Sequence, residues 1–213
     1  MCRELLEQYG DKTHACLRLP LAPEVLVELL ERHYVARFSR RHPTWSGQQY
    51  TLDNPLEGAS GWYDVEYASA HGAYRWTGPD SQAWLDVPRP SDGELRIRLR
   101  VLGAITPEIL NSLCLTVNEQ PLALSQTQDA AGAIIFEGRI PGAVAARRPF
   151  LRLCLSVERT LAPCQIEHNQ DSRQLGVALN WIEVLAVSPA DDVVGNIQEN
   201  VSRLGNLLQK IFR

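Results

Sequence analysis

This 213-residue sequence predicts a mainly β protein: an antiparallel β-sandwich, jelly-roll-like, with N-terminal helices and a C-terminal amphipathic, coiled-coil-type helix. Three observations carry the prediction. Residues 94–101 alternate charged and apolar side chains without a slip. At a strand's two-residue period, Leu95, Ile97, Leu99 and Val101 face a core while Glu94, Arg96, Arg98 and Arg100 face away. A strand buried on one face only belongs to an antiparallel sheet. From residue 60 to 188, about eight to ten short runs of this kind are separated by turn signals, without alternating helices. At both ends the spacing changes to that of helices. The chain therefore divides into a helical segment at 1–48, a sandwich at 49–189 and a heptad helix at 190–213.

Taken in order, residues 2–9 form a short amphipathic piece that stops at Gly10-Asp11. Residues 17–21 are extended, because Pro20 restricts the residue before it. Pro23 opens a longer helix, with Glu24 in its first turn. Val25, Leu26, Leu29, Leu30, His33, Tyr34 and Phe38 form an apolar stripe along it. Arg37, Arg40 and Arg41 suit its C-terminal dipole before His42-Pro43 closes it. Residues 44–60, rich in Gly, Ser, Gln, Asn and Pro, read as a linker. Strands follow around a His71-Gly72 turn and a Gly78-Pro79-Asp80 turn. In the next strand Ala83, Leu85 and Val87 share one face and Trp84 and Asp86 the other. Asn118 fits the left-handed position of a tight hairpin turn. Leu151, Leu153, Leu155 and Val157 alternate again, and Val177, Leu179 and Trp181 share a face of the last strand. After Pro189, Val194, Ile197, Val201, Leu204, Leu208 and Ile211 make an a/d seam. Gly195 and Gly205 each weaken that helix by about 1 kcal/mol, so it needs a partner surface. Either a second copy of the chain or the protein's own body fills that role.

Composition narrows the function classes. A net charge of −4 and a pI near 5.8 leave no basic excess for nonspecific nucleic-acid binding. No apolar run approaches the roughly 18 residues of a membrane span. The five cysteines (Cys2, Cys16, Cys114, Cys154 and Cys164) are irregularly spaced, with no C-x-x-C pair. They read as reduced structural thiols, and with no apolar leader after Met1 they predict a cytoplasmic protein. Cys114 and Cys154, in apolar strand patterns, read as small buried hydrophobes. The histidines lack metal-ligand spacing, and there is no nucleophile elbow, P-loop or dinucleotide fingerprint. No catalytic residue, metal or cofactor is assigned.

Two patterns suggest binding. Trp62, Tyr63, Tyr67, Tyr74, Trp76 and Trp84 crowd one window together with Asp64, Glu66 and Arg75. Sugars present apolar C–H faces and hydroxyl edges, so Trp62, Tyr63, Tyr74, Arg75 and Trp76 are candidate ligand-binding residues. The alternative is that the tryptophans fill the sandwich core. Alternation sets Tyr74 and Trp76 opposite Arg75, so a core Trp76 would leave Arg75 outside. The outward arginines at 96, 98 and 100 either meet an anionic ligand or pair with acids on a neighbouring strand. The polar run at 167–171 reads as a loop.

Several of these residues fall in a recognisable order: Gly61-Trp62, the stretch at 75–79, Leu85 to Pro88, Val117-Asn118, residues 138–141, and residues 171–177 leading to Trp181-Ile182-Glu183. Over roughly residues 58–188 this resembles a β-sandwich accessory module that accompanies bacterial glycosyltransferases and other proteins of surface-polysaccharide assembly. The resemblance implies a noncatalytic carbohydrate-recognition or accessory domain whose partner is a glycan or a glycosyltransferase. The other expectation is a structural spacer that self-associates through the terminal seam into a homo-oligomer.

Overall fold

The alternating strand sits at the centre of one of two antiparallel sheets. The computed structural model describes residues 23–41, 49–53, 55–166 and 168–187. Strand β6 (Leu95–Ala104) is flanked by β12 (Val177–Ala186) and β10 (Ile134–Ile140). The same sheet adds β3 (Glu66–Ala68) and β4 (Gly72–Trp76) on one side and β9 (Ser125–Gln128) on the other. β1 (Gln49–Thr51) pairs with β12 on the edge that β4 also uses. The second sheet runs β2 (Glu57–Ser60), β5 (Gln82–Pro88), β11 (Phe150–Ser156), β7 (Cys114–Val117) and β8 (Gln120–Leu122). Two short helices, α2 (Pro107–Asn111) and α3 (Gly142–Ala145), connect strands. The separate helix α1 (Pro23–Arg41) starts at the expected proline and carries an exposed Glu28–Arg32 pair at 2.6 Å. The predicted piece at residues 2–9 and the seam from Val194 to Ile211 lie outside the described residues.

The core forms where alternation said it would. Leu95, Ile97, Leu99 and Val101 meet Leu85, Val87, Leu151 and Leu153 of the facing sheet, all fully buried. On the outer face the charged ladder is paired across strands: Arg98 reaches Glu183 at 3.0 Å and Glu137 at 3.3 Å, and Arg100 reaches Asp129 at 2.7 Å. Asn118 and Glu119 both take left-handed φ values, 47° and 70°, and turn β7 into β8.

Four readings need correction. The supposed linker at 44–60 contains β1 and β2, and Leu52 is fully buried while Tyr50 packs on the core. Its polar composition masked two apolar anchors that close the side of the sandwich. β9 was not foreseen, because all four of its residues are polar and exposed on a sheet edge. In β12 the pairing register shifts around Asn180, so Val177, Leu179, Ile182 and Val184 point inward while Trp181 turns out. One extra residue inverts the phase of everything after it. Cys154 is buried, and burial raises its thiol pKa, but Cys114 is exposed at the start of β7.

Candidate functional site

Three extended segments lock together beside the β3–β4 hairpin. The Tyr63 amide donates to the Trp76 carbonyl at 3.0 Å, Gly78 to Gly61 at 2.9 Å, and Thr77 to Val177 at 2.9 Å. The returning Gly176 amide donates to Thr77 at 2.9 Å. This lattice fixes the end of β4, and alternation puts Tyr74 and Trp76 on the sheet's outer face, as Ala178 opposite Trp76 indicates.

The loop preceding β12 is stiffened by its own side chains. Asn169 accepts from the Asp171 amide and Asp171 from the Arg173 amide, each at 3.0 Å. The Asp171 carbonyl accepts from the Cys164 amide at 2.9 Å. These turns deliver the Arg173 guanidinium between two carboxylates. It donates to Asp171 at 2.7 and 3.0 Å and to Glu66 at 2.6 Å, and it stacks 5.3 Å from the Tyr63 ring centroid. The second Glu66 oxygen accepts from the Tyr74 hydroxyl at 2.8 Å. Burial, then the hydrogen bond to Glu66, pushes the Tyr74 phenol above its ordinary value.

A pocket of about 310 Å³ opens over this network, and its walls include Trp76, Ile105, Ile166, Asn169, Asp171 and Arg173. The indole and two isoleucines supply apolar surface, and the loop supplies planar donors and acceptors. Glu66 and Asp171 against Arg173 leave the wall with net negative charge. The five candidates named from sequence fare differently. Trp76 lines the pocket. Tyr74 and Tyr63 are outside its lining but touch residues in it, Tyr74 bonded to Glu66 and Tyr63 stacked on Arg173. Trp62 packs on the core, its indole donating to the Trp84 carbonyl at 2.8 Å. Arg75 is spent on backbone, donating to the carbonyls of Leu52 and Tyr63 at 2.8 and 3.0 Å. Sequence reasoning named Glu66 only as a neighbour and missed Arg173 and Ile105. The polar run at 167–171 was the one available signal for Asn169 and Asp171. Among the described residues no group of three or more acidic, histidine or cysteine side chains could hold a metal ion, and no helix is long and apolar enough to cross a membrane.

The hydrogen bonds from Arg173 hold the Asp171 carboxyl below its usual 3.8, and the Arg173 pKa is raised in turn. A depressed carboxyl stabilises the loop above its unfolded value, and that contribution is lost as pH falls through the folded one. Exchange of the Cys164 amide, which bonds the Asp171 carbonyl, should therefore be flat from neutral pH to about pH 5, once corrected for intrinsic rates. It should accelerate below about pH 4. Loss of protection between pH 7 and 5 would contradict this.

No family model matches the chain, and no curated protein matches it. Among solved structures it is similar to a carbohydrate binding module from Cellvibrio mixtus lichenase 5A in complex with cellotriose, with 12% identity and a TM-score of 0.40. That match covers 68% of this chain and 100% of the other. A family 35 carbohydrate binding module from Clostridium thermocellum gives 10% identity and a TM-score of 0.37 over 66% and 98%. A family GH115 4-O-methyl-α-glucuronidase with specificity for decorated arabinogalactans gives 7% and 0.41, over 68% of this chain and 18% of that one. Scores this low establish no kinship; the sandwich stands on its own sheet pairings.

Proposed function

We propose that the sandwich is a noncatalytic glycan-binding domain whose ligand rests on Trp76. The observation that carries this is the half-buried indole at the wall of a pocket whose polar groups are fixed by Arg173. An apolar platform edged by a few oriented donors and acceptors matches a sugar's C–H face and hydroxyl rim. The state of the carboxylates supports binding over bond cleavage. Glycoside hydrolysis needs one protonated carboxyl and one free carboxylate. Here both Glu66 and Asp171 are ion-paired to the same guanidinium, and Asp171 is pushed away from protonation. The resemblance noted in the sequence supplies the setting we infer: a module beside the enzymes of bacterial surface-polysaccharide assembly, holding a glycan for a glycosyltransferase.

Affinity electrophoresis against neutral polysaccharides (β-glucan, mannan, xylan, galactan) and acidic polygalacturonate tests the reading. We expect retardation by at least one neutral polymer and none by the polygalacturonate, since the pocket wall is net negative. Trp76→Ala should weaken that binding at least tenfold, about 1.4 kcal/mol. Its melting temperature should stay near that of the wild type, because Trp76 is outside the core cluster. Retardation by none of the polymers, or binding unchanged in Trp76→Ala, would overturn the proposal.

A further inference from the structure

A second cavity, about 380 Å³, opens on the same outer face at the other end of β4. Its walls include Thr51, His71, Gly72, Arg100, Asn180 and Trp181. Gly72 and Trp76 are four residues apart on one strand, which places the two cavities roughly 13 Å apart. Both open on one side because Gly72, Tyr74 and Trp76 occupy alternate positions. The register shift at Asn180 turns Trp181 to that side, opposite Arg100.

The polar groups here are not used up. Arg100 is only 8% exposed. Its Nε donates to Asp129 at 2.7 Å, Nη1 to the Asn180 side-chain oxygen at 2.6 Å, and Nη2 faces His71 Nδ1 at 3.3 Å. A guanidinium has five N–H groups, so each terminal nitrogen retains one without an acceptor among the described residues. Accepting from Arg100 at Nδ1 makes the neutral His71 carry its proton on Nε2, a further donor at the cavity wall. Both amide hydrogens of Asn180 are used, donating to the carbonyls of His71 and Ala73 at 3.0 and 2.6 Å, while its oxygen accepts from Arg100. It therefore holds Arg100 rather than a ligand. Trp181 adds an aromatic wall, braced by Arg98, whose guanidinium lies 5.8 Å from the ring centroid. Asp129 neutralises Arg100, so these donors suit hydroxyl and ring oxygens better than an anion.

We infer that this cavity is a second sugar subsite and that one neutral oligosaccharide spans both cavities, its chain crossing Tyr74. The inference rests on the Trp76 reading and extends it. A single pyranose cannot bridge the separation, so the ligand is a chain of several sugars lying along β4.

The test uses the full chain and fragments of one to eight sugars cut from whichever neutral polysaccharide above is bound, measured by titration calorimetry. Affinity should climb with length to a plateau at one chain per protein. Trp181→Ala should lose at least tenfold on the longest fragments and nothing on those that fill only the Trp76 pocket. His71→Ala, which keeps the backbone carbonyl that Asn180 uses, should lose about threefold on the long fragments; it also guards against a folding defect in Trp181→Ala. If both variants bind every fragment like wild type while Trp76→Ala does not, the second subsite is refuted and the first stands. Two short chains binding one protein independently would overturn the single spanning chain. If Trp76→Ala also binds normally, both readings fall.

Discussion

Replacing Gly78 by alanine should destabilise the sandwich by about 3 kcal/mol or more, a fall in melting temperature of roughly 10 °C. Gly78 is buried at a φ of +143°, where side chains other than hydrogen are strained. A Cβ there would stand 2.1 Å from the Gln174 carbonyl oxygen and 2.8 Å from Cε2 of Tyr63. Neither neighbour can move freely. Gln174 precedes the Leu161–Leu175 and Gly176–Thr77 pairings, and Tyr63 stacks on Arg173. Gly103→Ala is the control, because nothing lies within 4 Å of the place its new methyl would occupy; it should change stability by about 0.5 kcal/mol or less. Urea and thermal unfolding of the two variants would settle the matter, and equal midpoints would show that the strand lattice yields.

Arg152→Met should cost about 3 kcal/mol. Asp86 is fully buried on the outer side of the second sheet, and Arg152, its cross-strand partner, donates to both carboxylate oxygens at 2.9 Å. The guanidinium also lies 5.4 Å from the Phe150 ring centroid. Removing it deprives a desolvated carboxylate of two charge-assisted bonds, the costly half of a buried pair. The double variant Asp86→Leu/Arg152→Met should recover most of the loss, because apolar replacement of both partners is nearly neutral. Salt should change the single-variant penalty little, since buried pairs are weakly screened. A single-variant penalty below about 1 kcal/mol would reduce the pair to an ordinary surface contact.

Both effects sit at places the sequence marked only partly. Asp86 was readable as outward-facing from its alternation with Leu85 and Val87, but not as buried. Gly78 was readable as a turn, but not as a point where three segments converge. The pocket was less legible still. Glu66, Trp76, Ile105, Asp171 and Arg173 come from four separate stretches, and no spacing rule links residues that meet only through strand pairing. The aromatic window singled out residues 62–76 and gave Trp76, which lines the pocket, the same weight as Arg75, which is held by two backbone carbonyls. The Asn180 irregularity was invisible, because an inserted residue looks like any other letter until a partner strand fixes the register.

What the chain determines by itself is periodicity: strands with one wet face and one dry one, and a left-handed turn at Asn118. Strand periodicity follows from backbone geometry, so it survives in the letters. Tertiary structure decided which of two faces each aromatic joined. Trp62 went to the core, Trp76 and Trp181 to cavity walls, because that choice depends on what packs opposite, a relation between residues a hundred positions apart.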